Sequence, residues 1–147
     1  MGGRAPWLQI AMKLRFPIAG GDFLRAGEGS SRLMRTLQQL GIDGGLVRRI
    51  CIVAYELEMN VAIHAESGEL AVQITPSSVT LVCKDRGLGI PNLELAMQEG
   101  YSTASQEARE LGFGAGMGLP NIRRSADTLE IDSAPGQGTT ITATINL

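Results

Sequence analysis

Three short stretches of this chain carry residue types at spacings that chemistry uses. In YELEMNVAIHA, residues 55–65, Glu56, Asn60 and His64 recur at every fourth position, so a helix would line up a carboxylate, a carboxamide and an imidazole along one stripe. That stripe marks a candidate site, or it is a solvated polar face with His64 as a partly buried spacer. In DRGLGI, residues 85–90, Asp85 closes a strand-like run. It is either a turn residue or a carboxylate held at a strand end to accept a hydrogen bond from a purine amine, with Gly87 and Gly89 keeping that wall free of side chains. In GFGAGMGLPNIRRSAD, residues 112–127, glycine recurs at 112, 114, 116 and 118 directly before a helix-like run. Such a segment is a mobile surface loop, or its amides and the helix start behind them surround a phosphate. It is not a P-loop, because no lysine lies between Gly112 and Leu119, and its spacing does not fit the dinucleotide fingerprint.

The elements that must position these residues follow from periodicity and punctuation. WLQIAMKLRF, residues 7–16, alternates loosely and stops at Pro17, which predicts an early strand. Phe23, Leu33, Met34, Leu37 and Leu40 recur at helical spacing between Asp22 and Leu40, with Gly41 as the stop signal and Gly27 and Gly29 weakening the first half. Asp43 reads as the N-cap of a long helix over 44–66, closed by Ser67-Gly68, with Ile52, Tyr55, Met59 and Ile63 as the stripe that packs on a sheet. LAVQIT (70–75) and SVTLVCKD (78–85) form a hairpin through Pro76-Ser77. LELAMQEG reads as a short helical piece, YSTASQEARELGFGAG as a polar connection, and residues 117–126 as a further helix. TLEIDSAPGQGTTITATINL ends the chain as a β-branched hairpin around Pro135-Gly136. Antiparallel strands with three main helices grouped along the sequence predict an α+β fold. The simplest arrangement is a two-layer α/β sandwich, a mixed and mostly antiparallel sheet with helices on one face.

Composition narrows the function classes. A length of 147 residues suits one domain, residues 1–147, with a sizeable core. Net charge is −2 without a basic run, which argues against nucleic acid as a partner. Cys51 and Cys83 lie in apolar stretches without CxxC spacing and read as buried reduced thiols of a cytoplasmic protein. No apolar run reaches membrane-spanning length, and MGGRAPW lacks both a signal-peptide core and the Ser or Thr of a myristoylation signal.

Order and spacing together say more than each motif alone. ExxxN on a helix, DxGxG about 25 residues later, GxGxGL, and finally GxGT before a last strand resemble the ATP-binding domain of the GHKL superfamily (the Bergerat fold), shared by gyrase, heat-shock chaperones, histidine kinases and mismatch-repair ATPases. Within it, DRGLGIPNLELAMQEGYST and GAGMGLPNIRR are most similar to bacterial anti-sigma-factor serine/threonine kinases and to the switch kinase that works with STAS-domain partners. The resemblance covers about residues 10–147.

The resemblance implies ATP and Mg²⁺ as cofactors and assigns roles residue by residue. Asn60 matches the asparagine that binds Mg²⁺, an ion that keeps several waters and needs few protein ligands when phosphates supply the rest. Glu56, one turn earlier, matches the general base on the attacking hydroxyl. Asp85 matches the adenine-reading aspartate, with Gly87 and Gly89 shaping that wall. Gly114, Gly116, Gly118 and Leu119 match the second glycine box, the hinge and phosphate-facing edge of a lid over about residues 99–116. Thr139 matches a threonine near the adenine site. Arg109, from a lid longer than in many relatives, either reaches the terminal phosphate or is a salt-bridged surface arginine.

A phosphoacceptor-histidine helix pair is not expected in these residues, since His64 lies inside the motif helix, and gyrase-like or chaperone-like machines would need further domains. The resemblance therefore implies a kinase of the anti-sigma type that phosphorylates and binds a STAS-domain regulator, with a sigma factor as a second partner and homodimerisation as a family habit. A nucleotide-gated binding protein without transfer to protein, and a slow ATPase, are the alternatives.

Overall fold

In the computed structural model, residues 12–87, 89, 97–98 and 118–147 are described. Strand β1 (Met12–Ala19) is followed by helices α1 (Glu28–Gln39) and α2 (Gly44–His64). Strands β2 (Ala65–Ile74) and β3 (Ser78–Gly87) come next, then helix α3 (Gly118–Ser125) and strands β4 (Thr128–Ser133) and β5 (Thr139–Asn146). The sheet has five strands in the order β1-β2-β3-β5-β4, and each of the four pairings is antiparallel, so the expected mixed character is absent among the described residues. The α+β architecture is that of the GHKL fold.

Alternation along the strands builds one face of the core. Phe16, Leu70, Cys83, Ile141 and Ile131 lie in register across all five strands. Leu14, Val72, Leu81, Ala143 and Leu129 form the next row. Met12, Ile74, Val79 and Ile145 form a third. Side chains two apart share a face, so these rows make an apolar surface that α2 covers. Apolar burial at about 25 cal/mol per Å² makes this layer the main source of stability.

Helix α2 is the centre of the helical layer. Asp43 caps it as expected: its Oδ2 accepts from the backbone N–H groups of Gly45 at 3.0 Å and Leu46 at 3.3 Å. Val53, Ala54, Leu57 and Val61 are fully buried, because α1 and α3 pack on its flanks while the sheet lies beneath. The expected sheet-facing stripe is therefore wrong in part: Met59 is buried, Ile52 and Ile63 are half-buried, and Tyr55 is 41% exposed. A helix that is apolar on several sides does not reveal from its period which side meets the sheet. It also ends two residues early, at His64, and Ser67-Gly68 belongs to β2. Gly68 lets the two elements close up, since a Cβ there would lie 2.8 Å from both Val61 Cγ1 and the Lys84 carbonyl oxygen.

Other boundaries shift for physical reasons. Pro17 lies inside β1 rather than ending it, which an edge strand tolerates. Residues 7–11 of the expected first strand fall outside the described residues. Helix α1 begins at Glu28, six residues after Asp22, because Gly27 at φ 99° breaks the helical path. Of its expected apolar stripe, Leu33 and Leu37 are buried, whereas Met34 and Leu40 are exposed. Apart from residues 97–98, the helical piece expected over LELAMQEG lies outside the described residues.

The missing N-cap of α1 comes from another helix. Glu58 of α2, 3% exposed, accepts from the backbone N–H of Gly27 at 2.9 Å, of Gly29 at 3.2 Å and of Ser30 at 2.5 Å. Arg49 fixes the other flank, donating from Nε to the Ser125 carbonyl and from its terminal nitrogen to Asp127 Oδ1, both at 3.0 Å. Cys51 and Cys83 are buried free thiols, as expected.

Candidate functional site

Helix α2 projects Glu56 and then Asn60 from one side, and His64 ends the helix where it meets Gly87. With a rise of about 1.5 Å per residue, Glu56 and His64 stand about 12 Å apart along the axis. The ExxxN pair and the Asp85 corner thus mark two ends of one strip.

At the first end, Glu56 is half-buried. Asn121 of α3 donates from Nδ2 to Glu56 Oε1 at 3.1 Å. Gly118, the first residue of α3, faces the other oxygen: a Cβ there would stand 3.4 Å from Oε2. Burial pushes the Glu56 carboxyl above its ordinary value, and the Asn121 hydrogen bond offsets part of that. Asn60, one turn on, is half-buried, and no hydrogen bond joins its side chain to another described residue.

At the second end, Asp85 occupies the position after Val79, Leu81 and Cys83 in the alternation of β3, so it sits on the helix-covered face where a further apolar residue would be expected. Two backbone donors compensate. Gly87 N–H donates to Asp85 Oδ1 at 3.0 Å and Thr139 N–H donates to the same oxygen at 3.1 Å. Burial raises the Asp85 carboxyl, and these two bonds pull it partly back. Oδ1 is thereby held, and among the described residues no hydrogen bond reaches Oδ2. A Cβ on Gly87 would stand 3.1 Å from Oδ1, which accounts for glycine there.

Two further glycines let the surrounding loops close around this aspartate. Gly138, at φ 75°, packs so tightly that a Cβ would lie 2.3 Å from the Asp85 carbonyl oxygen. Gly89, at φ 80°, would place one 2.1 Å from the Ala134 carbonyl oxygen. The expected role of Gly89 as open wall is thus joined by a backbone role: it lets the loop after β3 touch the β4–β5 turn. The buried Thr139 hydroxyl lies 2.8 Å from Ser133 Oγ, which ties the two strands beside Asp85.

Of the residues expected from sequence, Glu56, Asn60, Asp85, Gly87, Gly89, Gly118, Leu119 and Thr139 are described, and α2 connects their two clusters. Leu119 is a core residue that docks α3 rather than a side chain open to the strip. Arg109, Gly114 and Gly116 lie outside the described residues. Asn121, Gly138 and Ser133 were not assigned from sequence. A signal for Asn121 existed, since it follows Gly118 by one helical turn and so shares its face. No group of three or more His, Cys, Asp or Glu among the described residues could hold a metal alone, so a cation here would need ligands beyond Asn60. No helix among the described residues is long and apolar enough to cross a membrane.

Comparison with known proteins agrees with this fold. The model of the histidine kinase-, DNA gyrase B- and HSP90-like ATPase family matches residues 45–147. The chain belongs to that family, and membership implies ATP as the nucleotide of the site. It is 29% identical over 110 residues to the serine/threonine-protein kinase RsbT of Bacillus subtilis, covering 72% of this chain and 77% of that one. It is 36% identical over 101 residues to an anti-sigma F factor of Bacillus licheniformis, covering 65% and 66% respectively. Among solved structures, one matching chain is from the SiaB-SiaC complex of Pseudomonas aeruginosa, with TM-score 0.55, 12% identity and coverage of 91% and 89%. Another is the mycobacterial sensor histidine kinase MprB, at TM-score 0.53, 19% identity and coverage of 90% and 97%. These two share the fold.

Proposed function

We propose that this protein is a cytoplasmic ATP-dependent protein serine/threonine kinase of the anti-sigma type, which binds and phosphorylates a STAS-domain regulator. The observation that carries the reading is the Glu56 carboxylate, half-buried, with one oxygen held by Asn121 and the other left facing the start of α3. A protein that only binds nucleotide has no use for a base at that point.

The described residues fit a nucleotide. Asp85 offers Oδ2 to an exocyclic amine, with Oδ1 pinned by two amides. Gly87, Gly89, Gly138 and Thr139 frame that end. Asn60 offers one oxygen to Mg²⁺, which suits an ion that takes its other ligands from phosphate and water. When bound, Mg²⁺-ATP supplies the electrophilic terminal phosphoryl group. Glu56 takes the proton of the acceptor hydroxyl as that oxygen bonds to phosphorus and the bond to ADP breaks. Burial, by raising the affinity of Glu56 for a proton, makes it a stronger base than an exposed glutamate. Gly114, Gly116 and Arg109 are assigned to the lid over the phosphates.

A groove at the start of α1 is the candidate partner surface. Leu24, 97% exposed, and Tyr55 flank it, and Glu28, Arg32 and Arg35 also line it. Exposed apolar side chains beside charges of both signs suit a protein partner. A phosphate added to that partner brings about −2 charge and changes the pairing. A sigma factor is the second candidate partner, and a homodimer the candidate assembly.

The test is labelled transfer. Cell extract of the source organism is incubated with γ-labelled ATP and Mg²⁺, with and without this protein, and with Glu56→Gln as control. One new small labelled protein, absent with the variant, is the expected result. No new band while ATP binding is intact would overturn the kinase reading in favour of a nucleotide-gated binder. Free phosphate without labelled protein would indicate an ATPase.

A further inference from the structure

We propose that Asn121 and Arg124 of α3 are positioning residues that hold the Glu56 carboxylate in its working orientation, so that the helix directly behind the glycine-rich segment controls the base. This rests on the assignment of Glu56 made above.

The contact runs in one direction. The Arg124 guanidinium donates to Asn121 Oδ1 at 2.6 Å, and Asn121 Nδ2 donates to Glu56 Oε1 at 3.1 Å. The charges at the two ends decide the amide orientation. Turned over, the carboxamide would set its oxygen against a carboxylate and its NH₂ against a guanidinium. Arg124 therefore fixes Asn121, and Asn121 fixes one oxygen of Glu56. The other oxygen faces Gly118, and among the described residues no hydrogen bond reaches it.

The relay is not needed to dock the helix. Leu119 and Ile122 are buried in the core beneath α3, and Arg49 holds its C-terminal end through the Ser125 carbonyl and Asp127. The Asn121–Glu56 bond joins residues 65 apart in sequence, on two helices, and ends on the carboxylate itself. Without it, a long flexible side chain would be free to turn away from the acceptor hydroxyl. Undocking of α3 would release Glu56 at the same moment.

The test uses the full chain with Asn121→Ala, Asn121→Asp and Arg124→Met. Single-turnover loss of the terminal phosphate of Mg²⁺-ATP is measured, to the protein acceptor or to water, and ATP affinity is measured separately. Asn121→Ala is expected to slow the chemical step about tenfold or more, as for loss of a hydrogen bond to a charged group, with ATP affinity within about twofold. Asn121→Asp is expected to be at least as slow, because it keeps the shape but turns a donor into a negative charge facing Glu56. Arg124→Met is expected to lose less. Packing alone would give the opposite order, with the isosteric Asp variant close to wild type, and that result overturns the inference. So does a loss confined to ATP affinity. If Glu56→Gln turns over like wild type, the base assignment falls and this inference with it. If Glu56→Gln is inactive while both Asn121 variants are normal, only the positioning role falls. A double-mutant cycle of Glu56→Ala and Asn121→Ala in urea unfolding reads the contact without turnover. Positive coupling is expected, and coupling of zero overturns the inference.

Discussion

Replacing Glu58 should damage the fold more than any exposed carboxylate would, and the amount follows from what its oxygens hold. Oε2 accepts from Gly27 and Gly29, and Oε1 from Ser30, and together they cap the start of α1. Gly29 and Ser30 are buried. Glu58→Ala leaves those two donors without a partner at about 1–2 kcal/mol each, for a loss of about 3 kcal/mol. For a chain of this size that is a fall of roughly 6–12 °C in Tm. Glu58→Gln keeps the shape and one accepting oxygen, and should lose about 1 kcal/mol. The pH dependence has a definite sign. Burial raises the Glu58 carboxyl, and the bonds from Gly27, Ser30 and Gly29 lower it by less. A raised folded value means that the stability it contributes is complete below the unfolded value of about 4.3 and is lost as pH rises through the folded value. The gap between wild type and Glu58→Gln should therefore narrow as pH rises through that range. Urea unfolding followed by circular dichroism between pH 4 and 8 checks all three statements. A Glu58→Ala loss under about 1 kcal/mol, or one no larger than that of Glu58→Gln, would refute the capping account.

Two further outcomes follow from packing. Gly138→Ala must place a Cβ 2.3 Å from the Asp85 carbonyl at a left-handed φ, so a loss of about 3 kcal/mol and weaker ATP binding are expected; a normal melt with normal ATP titration would contradict this. Burial, together with the negative charges of Asp85 and Glu58, pushes the Cys83 thiol up to about 12, and burial also raises Cys51. Neither thiol should react with an alkylating reagent at pH 8 until the chain is unfolded, and rapid labelling of the native protein would sink the expectation.

Much of the molecule is legible locally. Asp43 announces the start of α2 because a cap is a contact between neighbours two and three positions apart. The two hairpins are visible because turn residues and β-branched runs act over a few positions. The ExxxN, DxGxG and GxGT motifs mark the strip because a helix and a strand place residues at fixed spacings.

What the spacing does not carry is which distant groups meet. Glu58 looks like one more polar residue on α2, yet it is the cap of a helix about 30 positions earlier. The spacing in GLPNIRR puts Asn121 on the face of Gly118 but not against Glu56, since that contact depends on α3 docking beside α2. The exposed Tyr55 and the early end of α2 were likewise decided by neighbours on three sides of one helix and by the close approach that Gly68 permits. The sequence by itself determined the elements, the order of the motifs and the types of chemistry on offer, because those depend on short-range geometry. Only the tertiary structure decided which oxygen of Glu56 is held, which of Asp85 is pinned and what caps α1, because each is a contact between elements that meet only when the core has formed.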